Sequence, residues 1–481
     1  MFGFKVVHRD KKSNARVGEI TTPHGTIKTP AFVPVGTQAS VKSLTPTELK
    51  EIGVQLFFVN TYHMYLRPGI DVVEKLGGIH LFMGWDGPII SDSGGFQVFS
   101  LGRRGSGSGD AFFEDARQYS SIARMVPPSS LNEVPHIRVK QYISHHGGRD
   151  FSASQNGHPI PPSELVKIID NGVEFRSHWD GSKHIFTPEN SMERQWKLGS
   201  DIHIAFDDCT SYPVTHAVAK QSMERTHGWA ERSLEEHNRL RHSERSEESP
   251  ANASSNKLRD PSAALGMTKN YQALYGSIQG SVYEDLRKES AKFISSMDFD
   301  GIAIGGVAVG ESKEEMRSVL DWVVPFLPER KPRHLLGVGE IDDILDLVEH
   351  GIDTFDCVQP TRLGRMGRVY INTTPAKRDP RCCNPDKNRE QHRDNTTNRK
   401  WEIDITKKEF AEDVKPIDQG CQCYTCTHFS RAYIHHLFRV RELLAYRLAT
   451  YHNLWFIHRL VSGIRQSIKN GTFVEFKKKW I

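Results

Sequence analysis

The chain has 481 residues, a formal net charge of +4 and 37% apolar residues, enough for one large α/β domain with additions or for two to three ordinary domains. No stretch approaches the roughly 20 apolar residues that a membrane-spanning helix requires. The N-terminal MFGFKVVHRDKKSNARVGE has neither an apolar core nor a small-residue cleavage site, so no signal peptide is expected there, and a cytoplasmic location with reduced cysteines is expected. A mean hydropathy of −0.52 leaves a polar surplus that suits loops or inserts carrying little core.

Along the chain one theme repeats: a short apolar run ending in Gly, Asp or Asn, then a helical stretch. VQLFFVN ends at Asn60, PIISDSGG carries Asp92 and DIHIAFDD carries Asp207. ALYGSIQG carries Gln279, GIAIGGVAVG carries Gly305 and Gly306, RHLLGVGE carries Gly337 and Gly339, and IDTFDCV carries Asp356. Helices are predicted over PENSMERQWKLG, EDLRKESAKFISSM, KEEMRSVLDWVVPFLP and EIDDILDLVEHG. Alternation of this kind argues for a parallel α/β fold. With at least seven strand candidates, a (β/α)8 TIM-type barrel is preferred over an open sheet, as one catalytic domain spanning 1–481. Polar residues at strand C-terminal ends gather at one mouth of such a barrel, and Asp92, Asp207, Gln279, Gly306 and Asp356 are expected there.

Three segments break the theme. Residues 103–168 show no sustained period, 241–270 are rich in Ser, Asn and charge, and 376–400 are almost devoid of apolar residues. Each is expected to be a surface insert. The pair Cys382–Cys383 in the third has no partner ligands at short spacing and is not expected to bind metal.

Near the C-terminus, Cys421, Cys423 and Cys426 form a C-x-C-x-x-C cluster that holds three of the chain's seven cysteines. Thiolates this close suit tetrahedral zinc, and disulfides between residues one or two apart fit ordinary backbone geometry poorly. Spacing leaves the fourth ligand open among His428, His435, His436 and His452. A zinc-binding subdomain is expected over 405–460. After Cys426 come ten Lys/Arg against two acids, Glu442 and Glu475. That excess suits a polyanion such as nucleic acid, and it equally suits a solvated positive face.

Asp92 and Asp356 are the candidate catalytic carboxylates. In SDSGGFQVFS, Gly94 and Gly95 let backbone approach a ligand, and Phe96 offers a face for stacking. In TFDCVQPTRLGRMGRVY, Asp356 closes an apolar run and is followed by Arg362, Arg365 and Arg368. A carboxylate nucleophile with a second carboxylate as acid/base is the pattern of retaining glycosyl chemistry. Any single Asp is as well explained as a helix cap or a loop ion pair; the argument rests on several falling at equivalent strand ends.

SDSGGFQ, FDDCT, SIQGS, AIGGVAVGE, LLGVGE, FDCVQPTR and CQCYTC, in this order, closely resemble bacterial tRNA-guanine transglycosylases (queuine tRNA-ribosyltransferases). The likeness runs from NTYHMYLRPG through FSRAYIHHLF to YHNLWF, nearly the whole chain outside the three segments. The resemblance implies a zinc-bearing (β/α)8 barrel that exchanges guanine for the deazaguanine preQ1 at the wobble position of transfer RNAs with a U-G-U anticodon loop. It implies Asp356 as nucleophile at C1′ and Asp92 as general acid/base. Asp207 would accept from the base's ring N–H and amine. Gln279 and the Gly306 N–H would bind its carbonyl oxygen, and Phe96 and Leu336 would sandwich it. Ser93, Gly94, Gly95, Cys209, Gly305 and Val307 would complete the pocket. Gly337, Val338, Gly339, Glu340, Ile341, Asp342 and Asp343, with Thr361, Arg362, Leu363, Gly364 and Arg365, would contact RNA. Cys421, Cys423, Cys426 and His452 would hold one structural Zn2+ per subunit, and a homodimer is implied.

Val307 stands where the bacterial pattern has Leu, while Val309 and Cys209 match the preQ1-type rather than the queuine-type pocket. No P-loop pattern is present. Archaeosine-type enzymes usually carry additional C-terminal RNA-binding domains, which about 55 residues after Cys426 are not expected to hold. A non-catalytic RNA-binding paralogue is at odds with retention of both Asp92 and Asp356. A zinc hydrolase would need an open metal position that a Cys3His set lacks.

Overall fold

All seven apolar runs form strands of one sheet, and an eighth strand completes it. The computed structural model describes residues 2–102, 166–169, 171–177, 179–247, 271–372 and 401–481. An antiparallel sheet of β1 (Gly3–Arg9), β2 (Arg16–Thr22) and β3 (Gly25–Thr29) comes first. The barrel begins with β4 (Ala31–Pro34), β5 (Phe57–Val59) and β6 (Ile89–Ser91). A second antiparallel sheet follows, of β7 (Val166–Ile169), β8 (Gly172–Arg176) and β9 (Lys183–Phe186). The barrel resumes with β10 (Ile202–Ile204), β11 (Ala273–Ile278), β12 (Gly301–Ile304), β13 (Arg333–Leu335) and β14 (Thr354–Cys357). A short pair, β15 (Arg368–Tyr370) and β16 (Glu402–Asp404), precedes the C-terminal helices.

The eight barrel strands pair in parallel, in the order β4-β14-β13-β12-β11-β10-β6-β5. A parallel bridge between Val35 and Phe58 joins the two ends, with the Gly36 N–H donating to the Phe58 carbonyl at 2.7 Å. The expected (β/α)8 barrel is therefore present. β4 was not among the predicted runs, because AFVP is only four residues long and lies between Pro30 and the closing Pro34. All C-terminal strand ends face one mouth because the strands are parallel.

The four predicted helices are Pro188–Leu198, Glu284–Ser296, Lys313–Val323 and Ile341–Glu349. Thr187 and Ser312 cap the first and third with reciprocal capping boxes to Asn190 and Glu315. The third ends earlier than the apolar pattern suggests: Val324–Phe326 turns as 3-10 helix, since Pro325 has no N–H to continue the ladder.

The segments 103–168, 241–270 and 376–400 lie mostly outside the described residues, as does Cys382–Cys383. Their described ends carry regular structure. Val166–Ile169 is β7, paired with β8, and the helix His216–Glu247 runs into the second segment. No helix among the described residues is long and apolar enough to cross a membrane.

At the opposite end from the mouth, Arg16 and Asp353 are buried and paired, Nε to Oδ1 at 3.0 Å. This joins β2 to the barrel, and removing either partner would strand a buried charge. The helix Leu443–Lys469 packs on Gln359–Arg365, close enough that a Cβ at Gly364 would sit 2.8 Å from the Thr450 backbone nitrogen.

Candidate active site and metal centre

Asp92 follows the last residue of β6 and is buried. Its Oδ2 accepts from Asn60 Nδ2 at 2.5 Å, and its Oδ1 from the backbone N–H groups of Thr61 at 2.8 Å and Gly94 at 3.1 Å. Burial disfavours the charged form and raises the pKa to about 6, against hydrogen bonds from Asn60, Thr61, Gln97 and Gly94 that lower it. A carboxyl group poised near neutrality can both give and take a proton.

Asp207 lies just past β10 and is also buried. Gln279, just past β11, donates from Nε2 to Asp207 Oδ2 at 2.7 Å, and the Ser93 hydroxyl lies 3.4 Å from Oδ1. Burial pushes this carboxyl up to about 6, helped by the charges of Asp208 and Asp92. The third wall is Gly305 and Gly306, after β12. A Cβ on Gly305 would fall 2.6 Å from Gln279 Nε2 and 3.6 Å from Asp207 Oδ2. Gly306 has φ +62°, a backbone state that L side chains adopt rarely. A buried cation sets this wall: Arg287 donates to the carbonyls of Gly305 at 2.8 Å and Gly306 at 2.6 Å, and to those of Ser281 and Ile278. With the glycine carbonyls held by Arg287, the glycine pair and the Gln279–Asp207 pair bring polar groups close together at the mouth.

Gly95 also sits close: a Cβ there would lie 2.9 Å from the Asp207 carbonyl oxygen. Phe96 is half-buried in the helix Gly95–Gly102, Leu336 is half-buried against the barrel, and Cys209 is buried with its thiol pushed up by desolvation. Val307 lines a cavity of about 260 Å³, together with Gly337, Val338, Gly339, Glu340 and Asp343.

Asp356 is on β14. Its Oδ1 accepts from the Gly337 N–H at 3.0 Å and contacts His334 Nε2 at 3.2 Å. The residues expected to meet RNA divide into two groups. Gly337 is exposed, and Arg362 and Arg365 are partly so. Val338, Gly339, Ile341, Thr361, Leu363 and Gly364 are buried, so any part they play is in shaping the rim. Glu340, Asp342 and Asp343 surround Lys313, whose Nζ lies 2.9, 2.7 and 3.2 Å from their carboxylates.

Motif reading missed Asn60, Thr61, Gln97, Arg287 and His334. Asn60 had a signal, since it closes a predicted strand and so belongs at the mouth. Arg287 and His334 lie inside a helix and a strand and had none.

In the C-terminal cluster, the three cysteine Sγ atoms and His452 Nδ1 lie within 4.8 Å of one another. The Sγ–Nδ1 distances are 3.9 Å from Cys421, 3.4 Å from Cys423 and 3.3 Å from Cys426. A tetrahedral zinc with Zn–S of about 2.3 Å and Zn–N of about 2.0 Å has S···N edges of roughly 3.5 Å, so the donor set fits. His452 Nε2 meets the Tyr370 carbonyl at 2.8 Å, which leaves Nδ1 free for metal. The rival histidines point elsewhere. His428 Nδ1 bonds the Tyr424 carbonyl and His435 Nδ1 the Ile405 carbonyl, both at 2.9 Å, and His436 is exposed.

A sequence model of the family Queuine tRNA-ribosyltransferase matches residues 10–116 and 148–481. Among similar proteins, the queuine tRNA-ribosyltransferase of Thermoanaerobacter sp. (strain X514) is 40% identical over 477 residues, covering 99% of this chain and 96% of that protein. That of Roseiflexus sp. (strain RS-1) is 40% identical over 478 residues, with 99% and 98% coverage. That of Herpetosiphon aurantiacus is 40% identical over 480 residues, with 100% and 92% coverage. On the family match and these identities, the chain belongs to the queuine tRNA-ribosyltransferase family.

Proposed function

We propose that the chain is a tRNA-guanine transglycosylase that exchanges guanine for preQ1 at the wobble position of transfer RNAs with a U-G-U anticodon loop. The observation that carries this reading is the assembly at one barrel mouth of a polar slot, Asp207–Gln279–Gly305–Gly306, with two carboxylates, Asp92 and Asp356. The wobble nucleotide flips out of its single-stranded loop at low cost and enters the slot. Asp207 accepts from the base's N1–H and amine, while Gln279 and the Gly306 N–H donate to its carbonyl oxygen. Phe96 and Leu336 cover the ring.

Asp356 then attacks C1′ of the ribose. The C1′–N9 bond breaks, Asp92 supplies a proton to the departing guanine, and an Asp–ribose ester remains. An incoming base loses its N9 proton to Asp92 and attacks C1′, and the Asp356 carboxylate leaves. One N-glycosidic bond replaces another, so no nucleotide triphosphate is consumed. Leaving and entering bases use the same slot in turn, which predicts ping-pong kinetics. Val309 and Cys209 support preQ1 as the inserted base.

Zinc at Cys421, Cys423, Cys426 and His452 serves stability, since four protein ligands leave no open position. The basic C-terminal helices support contact with RNA phosphates. A homodimer and a cytoplasmic location complete the reading.

The test is exchange of labelled guanine into an anticodon stem-loop containing U-G-U. Incorporation by the wild type and its loss in Asp356→Asn are expected. A folded, zinc-replete wild type that incorporates nothing would leave a non-catalytic RNA-binding protein as the better account.

A further inference from the structure

His334 is wholly buried inside the barrel, at 0% exposure, and the reaction above assigns it no part. It stands on β13 directly opposite Thr354 on β14. Asp356 is two residues further along β14, so its side chain leaves the sheet on the same face as Thr354. The imidazole stacks on Phe58 of β5, centroids 5.9 Å apart and planes 18° from parallel. Nδ1 lies 2.9 Å from Thr354 Oγ1 and Nε2 3.2 Å from Asp356 Oδ1.

These contacts orient the ring. An ionised carboxylate only accepts, so the imidazole donates its Nε2–H to Asp356 Oδ1, while Nδ1 meets the Thr354 hydroxyl. Gly337 N–H reaches the same Oδ1 at 3.0 Å. Oδ1 thus faces two donors, while among the described residues Oδ2 accepts none.

We infer that His334 is a positioning residue for the nucleophile: with Gly337 it holds Oδ1, stops the carboxylate from turning, and presents Oδ2 as the oxygen that bonds to C1′. This rests on the transglycosylase reading. In the ester, Oδ2 carries the sugar and Oδ1 becomes the carbonyl oxygen, still facing both donors. When the incoming base displaces the ester, the electron pair of the C1′–Oδ2 bond returns to a carboxylate that the same donors stabilise. His334 therefore serves both half-reactions without touching substrate.

A core-filling role makes a different prediction. His334→Phe keeps the ring and its stacking but removes both hydrogen bonds. His334→Gln carries an amide that can reach Asp356 as the imidazole Nε2–H does. Thr354→Val removes the hydroxyl that holds the ring at Nδ1. Guanine exchange, single-turnover formation of the covalent RNA adduct and melting temperature would be measured for each, with the zinc-loaded full chain. In His334→Phe, kcat and adduct formation should fall about 10-fold or more with the RNA KM within about twofold, the size expected for a lost hydrogen bond to a charged group. His334→Gln should recover most of the loss, and Thr354→Val should show a smaller loss in kcat.

Wild-type kcat in His334→Phe, a loss confined to KM, or a His334→Gln variant as slow as His334→Phe while both melt normally would overturn the inference. If His334→Phe does not fold, unchanged kcat in both other variants overturns it. A wild type with no exchange overturns the transglycosylase reading itself, whereas active wild type with indifferent variants overturns only the part given to His334.

Discussion

Asn60 donates its side-chain amide to Oδ2 of Asp92 at 2.5 Å, across the ends of the neighbouring strands β5 and β6. This bond favours the charged carboxylate against the burial that raises it to about 6. In Asn60→Ala the pKa of Asp92 is expected to rise further. Because the folded pKa lies above the unfolded value of about 3.9, the stability linked to Asp92 is fully present below about pH 4 and lost as pH rises through about 6. The variant should therefore lose more unfolding free energy at pH 7.5, about 1.5–3 kcal/mol for a bond to a charged group, than at pH 4.5, about 1 kcal/mol. Denaturant unfolding at the two pH values reads this, and equal losses would contradict it.

Asp207 should make base binding depend on pH. It is pushed up to about 6, while the base offers it only donors. Bound guanine thus favours the ionised form, and affinity should rise as pH increases through about 6. Calorimetric titration with guanine at pH 5 and pH 7.5 should find tighter binding at the higher pH. Asp207→Ala should abolish that difference together with most of the affinity.

The glycine wall has no spare room. In Gly305→Ala the new methyl would press on Gln279 Nε2, 2.6 Å away, and the amide must turn from Asp207 and the base. The expected result is guanine binding weakened about 10-fold, one lost hydrogen bond with its partner left unpaired, with a melting temperature near wild type. A variant that binds guanine normally would show that Gln279 does not need its present position.

Removal of zinc should act through the fold. Cys423 is buried at the cap of the helix Tyr424–His428, and His452 is on the long helix that packs on Gln359–Arg365. In Cys423→Ser, mass spectrometry should find less than one zinc per chain. Melting temperature should drop by several degrees. Residual activity at low temperature should exceed that of Asp356→Asn.

Much of the barrel was legible because its strands are buried on both faces and are closed by Gly, Asp, Asn or Gln, so that VQLFFVN and IDTFDCV read as strands without context. The β7–β9 sheet was not, since Val166–Ile169 was taken into a segment without sustained period. The zinc ligands divide in the same way. Three cysteines declare themselves by spacing, but His452 comes 26 residues after Cys426, and spacing does not separate it from His428 and His435; the family resemblance points to it, and the fold brings it to the cysteines. Asp92 and Asp356 were found as strand-end carboxylates. The groups that contact them, Asn60 and His334, do so across strands, and that pairing is set by the barrel's register.

The central claim is that Asp356 becomes covalently bound to the ribose. The zinc-loaded protein would be mixed with the U-G-U stem-loop while released guanine is removed, quenched in denaturant, and digested with nuclease and protease for mass spectrometry. The account predicts a ribonucleotide on the peptide carrying Asp356, absent from Asp356→Asn. Active exchange with unmodified Asp356, or with the nucleotide on Asp92, would contradict it.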